Sequence, residues 1–97
     1  MRMLLKVSIP VEKGNEAFDS GALGQTFQSA MEELKPEAAY FYPEDGKRTA
    51  FFVFDMEGSW QVPPTVEPMF HNLDASVTVT PVMNAEDLER GLKESAS

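Results

Sequence analysis

The sequence predicts one α+β domain in which a strand, a helix, a hairpin, a second helix and a further strand follow in order. Three observations carry that reading. Met3, Leu5, Val7 and Ile9 alternate with Arg2, Leu4, Lys6 and Ser8, the period of two expected of a strand. Leu23, Phe27, Ala30, Met31 and Leu34 recur at helical spacing, which marks an amphipathic helix. Asp45-Gly46 lies between two aromatic runs, the pairing that two-residue hairpin turns favour. At 97 residues the chain suits a single domain, residues 1–97, with one core.

Each element can be justified in turn. The first strand ends at Pro10, and residues 11–21 read as a connection, with turn signals at Gly14-Asn15 and Asp19-Ser20-Gly21 and at most a short helical turn around residues 16–18. The helix over residues 22–34 is stopped by Pro36, which pushes Lys35 toward extended geometry. With Asp45-Gly46 at the hairpin tip, Glu44 faces Lys47, Tyr42 faces Thr49, Phe41 faces Ala50 and Tyr40 faces Phe51; opposite charges and aromatic pairs suit that register. After Gly58-Ser59 a second helix presents Val66, Met69, Phe70 and Leu73 on one stripe. Pro63 and Pro64 fit its first turn, whereas Pro68 is expected to delay or kink it. Residues 75–82 form a β-branched strand whose Pro81 suits a sheet edge. Asn84, with Asp87 three residues on, caps a short last helix through Leu92. Together this is the ferredoxin-like βαββαβ order with an added C-terminal helix.

Bulk properties exclude several functions. The net charge is −8, which disfavours nucleic acid and anionic membrane surfaces, since both need clustered Lys and Arg. Cysteine is absent, so disulfides, thiolate catalysis and Cys-ligated zinc are all excluded. The apolar run Met3-Leu4-Leu5 is cut by Lys6 and Pro10, unlike a signal peptide, and no stretch has membrane-spanning length. A cytoplasmic location is the expectation.

Strand parity divides the sheet into two faces. Met3, Leu5, Val7, Ile9, Phe52, Phe54, Val77 and Val79 belong under the helices. The other face carries Lys6, Ser8, Tyr40, Tyr42, Thr49, Phe51, Val53, Asp55, Thr78 and Thr80. It is too aromatic for water and too polar for a core, as interfaces and binding surfaces are. RNA-recognition domains use this face, but here Thr49 stands at a stacking aromatic's place, Arg48 replaces a glycine and Lys6 occupies the first strand's aromatic position. Sheet-on-sheet pairing with a second copy fits better, so a homodimer is expected.

Residues 34–41 (Leu-Lys-Pro-Glu-Ala-Ala-Tyr-Phe), Asp45-Gly46-Lys47-Arg48-Thr49, Phe52-Val53-Phe54-Asp55-Met56 and residues 81–88 (Pro-Val-Met-Asn-Ala-Glu-Asp-Leu) resemble a group of small uncharacterised bacterial proteins. These are similar to the dimeric α/β-barrel superfamily, which includes muconolactone isomerases and antibiotic-biosynthesis-type monooxygenases. The resemblance implies a dimer closed over its sheet faces. It transfers no catalytic residue, because the superfamily's chemistries differ widely.

Candidate site residues therefore come from the chain itself. Lys6, Ser8, Tyr40, Tyr42, Phe51 and Thr78 are the expected ligand-binding set, with a small organic molecule as the ligand class. Lys6 and His71, the single histidine, are the candidate catalytic groups. A buried lysine has a lowered pKa and can act as a base or hold an anion; the structural alternative pairs Lys6 with Asp55 or with a partner's carboxylate. His71 lies off the second helix's apolar stripe, where capping is its structural role. Trp60 either lids a cavity or plugs the helix start. No nucleophile elbow, EF-hand loop, phosphate loop or dinucleotide-binding glycine pattern occurs, so neither cofactor nor metal is expected. The alternative to a ligand site is a structural or regulatory dimer with a filled interface.

Overall fold

A computed structural model describes residues 1–96. Strand β1 (Arg2–Ile9) is followed by helices α1 (Val11–Ser20) and α2 (Ala22–Leu34), then by the hairpin of β2 (Ala38–Glu44) and β3 (Lys47–Asp55). A 3₁₀ turn (Ser59–Gln61), α3 (Val62–Leu73), β4 (Ser76–Pro81) and α4 (Ala85–Ala96) complete the chain. The sheet order is β2-β3-β1-β4, with every neighbouring pair antiparallel. This is the ferredoxin-like arrangement, and β1 lies at its centre beside β3.

Side-chain parity builds the core as expected. Met3, Leu5, Val7 and Ile9 are buried along β1, and Phe52 and Phe54 join them from β3. Ala17 of α1, Ala30 of α2, and Val66, Met69 and Leu73 of α3 close over that face. Each fully buried Leu, Ile or Phe contributes on the order of 1.5–3 kcal/mol through removal from water. The hairpin register matches the expectation pair for pair, from Tyr40 opposite Phe51 to Glu44 opposite Lys47. Asp45 and Gly46 both take positive φ, 54° and 72°, as a type I′ turn requires.

Several local expectations need correction. The connection over residues 11–21 is a ten-residue helix, α1. Gly14, read as a turn residue, sits inside it because a Cβ there would come within 2.8 Å of the Arg48 guanidinium. Lys35 does close α2, but in the left-handed region at φ 45°, with its N–H on the Met31 carbonyl at 3.1 Å. Pro68 does not delay α3, which already runs from Val62: it lies on the exposed side, and it leaves the Pro64 carbonyl, four residues back and itself on an exposed residue, without an intrahelical donor. Phe70 falls outside the buried stripe of Val66, Met69 and Leu73 and remains exposed. The last helix runs through Ala96 rather than Leu92. No helix among the described residues is long and apolar enough to cross a membrane.

Candidate functional site: the helix-free face of the sheet

The helices leave the second face of the sheet uncovered. Antiparallel pairing arranges that face in cross-strand rows. Tyr40, Phe51, Lys6 and Thr78 form one row, and Tyr42, Thr49, Ser8 and Ser76 form the next. All six residues of the expected ligand-binding set therefore lie in two adjacent rows. A third row, Ala38, Val53, Leu4 and Thr80, continues the surface toward the opposite end of the sheet.

Aromatic rings cover one side of this face. Phe51 stands between the two tyrosines, with its centroid 5.3 Å from Tyr40 and 6.0 Å from Tyr42; the second contact is edge-to-face, a favoured quadrupole geometry. Thr49, lying between Ser8 and Tyr42, is only 4% exposed although no helix covers it. Its hydroxyl donates to the Lys47 carbonyl at 3.1 Å, so its polar atom is satisfied without water.

A hydrogen-bonded network spans the face. Lys6 reaches from β1 across β3 to Glu44 at the end of β2, Nζ to Oε2, at 2.6 Å. The Tyr42 hydroxyl donates to the other oxygen, Glu44 Oε1, at 3.1 Å. These two hydrogen bonds hold the Glu44 carboxyl below the ordinary carboxylate range. The hydrogen bond to Glu44 raises the Lys6 ammonium, and desolvation followed by the Glu44 hydrogen bond raises the Tyr42 phenol. At neutral pH the network is thus an ammonium, a carboxylate and a neutral phenol.

This geometry revises the roles expected for Lys6. Its proton is held more tightly than in water, the reverse of a lysine base, and its charge is already matched by Glu44. Neither is Asp55 its partner, since Asp55 accepts from the Met1 amino group at 2.7 Å. Glu44 is the group that sequence reasoning missed. Hairpin logic pairs it with Lys47 across the turn, as the register does, yet its parity with Tyr42 and Tyr40 already placed it on the Lys6 side of the sheet.

His71 is not brought to this face. It lies on α3, whose buried stripe packs on the opposite side of the sheet, and its side chain is 78% exposed with Nε2 3.3 Å from Glu67 Oε2. It forms a surface i,i+4 pair. Trp60 is also on the helix side, where its ring covers Gly58 so closely that a Cβ there would overlap the indole. With Thr26, Ala30, Pro64 and Met69 it lines a cleft of about 300 Å³ between α2 and α3. No group of three or more His, Asp or Glu side chains able to hold a metal ion occurs among the described residues.

Charge is distributed unequally. The helix-free face and its rim carry Arg2, Lys6 and Lys47 against Glu37, Glu44 and Asp55. Arg2 Nε bonds Glu37 Oε1 at 2.5 Å, and this hydrogen bond raises the guanidinium pKa further. Three cations stand there against three carboxylates, and at the rim the Met1 amino group on Asp55 and Asp87 beside Arg2 add one charge of each sign, so this face is close to neutral in a chain of net charge −8. Compared with known proteins, the chain matches no family model, and no curated protein is found to be similar to it.

Proposed function

We propose that the protein is a homodimer closed over its helix-free sheet faces, with a small organic molecule bound between them. The observation that carries this reading is the mixed character of a charge-balanced face. Leu4, Phe51 and Val53 are half-buried there around the Lys6–Glu44–Tyr42 network. An acidic chain repels its own copy except where its charge cancels, and this face is where it cancels. Apolar rows with a few convergent polar groups are also what small-molecule sites use.

The same network restricts the ligand class. Because Lys6 is neutralised by Glu44, an anionic ligand would have to displace a carboxylate already at 2.6 Å. A neutral aromatic or alicyclic molecule carrying a hydroxyl or carbonyl group fits better, oriented by the tyrosine hydroxyls and stacked on Phe51. Were a ligand carbonyl to take the Tyr42 O–H from Glu44 Oε1, the phenol would polarise it and the freed carboxylate oxygen would stand beside it to receive a proton. That chemistry accords with the isomerase-like side of the family resemblance; a monooxygenase-like activity would use the same cavity.

A second reading is supported by the ion pair itself. A lysine and a glutamate that satisfy each other can be buried together in a solid interface without any ligand, as a structural or regulatory dimer would require. One experiment separates the two. A crystal structure of the purified dimer is expected to show a cavity of about 300 Å³ or more between the sheets, and a molecule released on denaturation should be detectable by mass spectrometry. Lys6→Ala and Tyr40→Phe should each weaken rebinding of that molecule. An interior filled by the side chains themselves would select the structural reading, and unchanged affinity in both variants would remove these residues from the site.

A further inference from the structure

We propose that the cleft between α2 and α3 is a second binding site, taking a small organic ammonium ion with an apolar body. It lies on the helix side of the molecule, away from the helix-free face, and does not depend on the homodimer proposed above. Two stripes form its walls. Ala30 and Glu33 are three residues apart on α2, and Pro64 and Pro68 are four apart on α3, so each pair shares one helix face. The buried side chains of Ala30 and Met69 form the floor, and Glu33, Trp60, Pro64 and Pro68 form the exposed rim. Short side chains at Ala30, Pro64 and Pro68 leave about 300 Å³ between the helices, enough for a small ligand.

The rim holds an aromatic ring in place. Gln61 Oε1 accepts from the Glu57 N–H at 2.7 Å and from the Gly58 N–H at 3.3 Å, while the Gln61 N–H donates to the Gly58 carbonyl at 3.1 Å. These bonds close the loop before α3, and Trp60 lies inside it. Its six-membered ring sits over Gly58, in space that a Cβ would occupy. Yet Trp60 is 70% exposed, so this seating removes little of the indole from water and contributes little to the core. A fixed, exposed indole at the mouth of an apolar cleft suits a cation, which the ring face attracts.

Two acceptors in the wall lack donors. Glu33 is the single charged side chain among the described residues that line the cleft, and it enters none of the ion pairs formed among the described residues. The Pro64 carbonyl has no helical donor because Pro68 carries no N–H. A helical carbonyl points along the axis toward the residue four positions on, here from one lining proline to the other. An ammonium group supplies donors to a carboxylate and a carbonyl together, while its apolar body lies on Ala30, Met69 and Trp60.

The surrounding charge has the same sign as Glu33. Glu32, Glu57 and Glu67 stand beside the lining residues in sequence, against Lys35 and against His71, which is 3.3 Å from Glu67. The chain as a whole carries −8, a field that draws cations toward the molecule. An anionic ligand would meet no cation in the described wall, and a neutral one would leave Glu33 unmatched.

Trp60 is the single tryptophan of the chain, so its fluorescence reports on this cleft directly. Titrating the full chain with 2-phenylethylammonium chloride should shift that emission along a saturable curve, half-complete at about millimolar concentration. Neutral 2-phenylethanol, of the same shape, should need at least about tenfold more. In Glu33→Gln the ammonium ion should bind about fivefold more weakly and the alcohol as before, while Lys6→Ala should titrate like the wild type. No saturable shift would overturn the site, and a weakened curve in Lys6→Ala would place binding on the helix-free face instead. Equal binding of the ion and the alcohol, or a curve unmoved in Glu33→Gln, would overturn the cation as ligand. An equal shift from ammonium chloride alone would reduce the effect to screening of an acidic surface and overturn the apolar body. Nα-acetyl-lysine amide carries the same group on a peptide, and tighter binding by it would give the cleft to a partner protein's lysine and overturn the free ligand. A monomeric wild type should still titrate, so failure of the dimer and failure of this site are distinguishable.

Discussion

Leu4 and Leu5 are neighbours in the chain and in the same central strand, yet they belong to different problems. Leu5 faces the helices, has no exposed surface and packs in a core with Phe52 and Leu73. Leu4 faces away, half-buried beside Val53 and Thr80, with nothing from its own chain over it. The same contrast separates Phe52 from Phe51. One face of the sheet is covered by the chain's own helices and reports on folding; the other is left uncovered, and there the proposed association would be read.

The largest effect should come from the completed face. Leu5→Ala removes a fully buried side chain and should cost about 2–5 kcal/mol of unfolding free energy, read from urea melts at fixed protein concentration. Leu4→Ala should cost the protomer far less and act through association instead, so that its melt midpoint depends on concentration more weakly than that of the wild type. Equal, concentration-independent losses in both would erase the distinction between the faces.

Parity made this division legible in the sequence. Period-two alternation and the Asp45-Gly46 turn were enough to assign the two faces and the register of β2 on β3, because both depend on local geometry. What escaped depends on distant partners. The α1 segment carries Gly14 and Gly21, residues that favour turns, and it is helical because Ala17 packs into the core and Gly14 lies against Arg48. The Lys6 partner was sought in Asp55, which is taken by the Met1 amino group, and found in Glu44, two strands away. Side-chain reach across a strand has no signature in spacing.

The Lys6–Glu44–Tyr42 network should produce a smaller, pH-dependent effect. The folded Glu44 carboxyl titrates below its unfolded value, so its contribution is complete above the ordinary carboxylate range near pH 4.3. It is lost as pH falls through the lower, folded value. In Glu44→Gln, stability measured by urea between neutrality and about pH 3 should fall less steeply on the acid side than in the wild type. Lys6, raised in the folded state, contributes below its unfolded value and loses that contribution only as pH rises through the folded one. Identical acid limbs in Glu44→Gln and wild type would show that the network is not formed in solution.

The smallest effect is expected on the helix side, at His71. Its partner Glu67 is a solvent-exposed neighbour on the same helix, and such pairs contribute little. His71→Gln should change stability by no more than about 0.5 kcal/mol and leave ligand rebinding unaltered. A loss of binding in this variant would move the site from the helix-free face to α3.

Association through the helix-free face is tested most directly by light scattering at about tens of micromolar chain on the wild type and on Phe51→Asp. The wild type should show twice the 10.8 kDa chain mass, and Phe51→Asp, whose new charge would meet its symmetry mate in the interface, should show a single chain mass with its fold intact. A monomeric wild type, or a variant that dimerises as well as the wild type, would contradict the account.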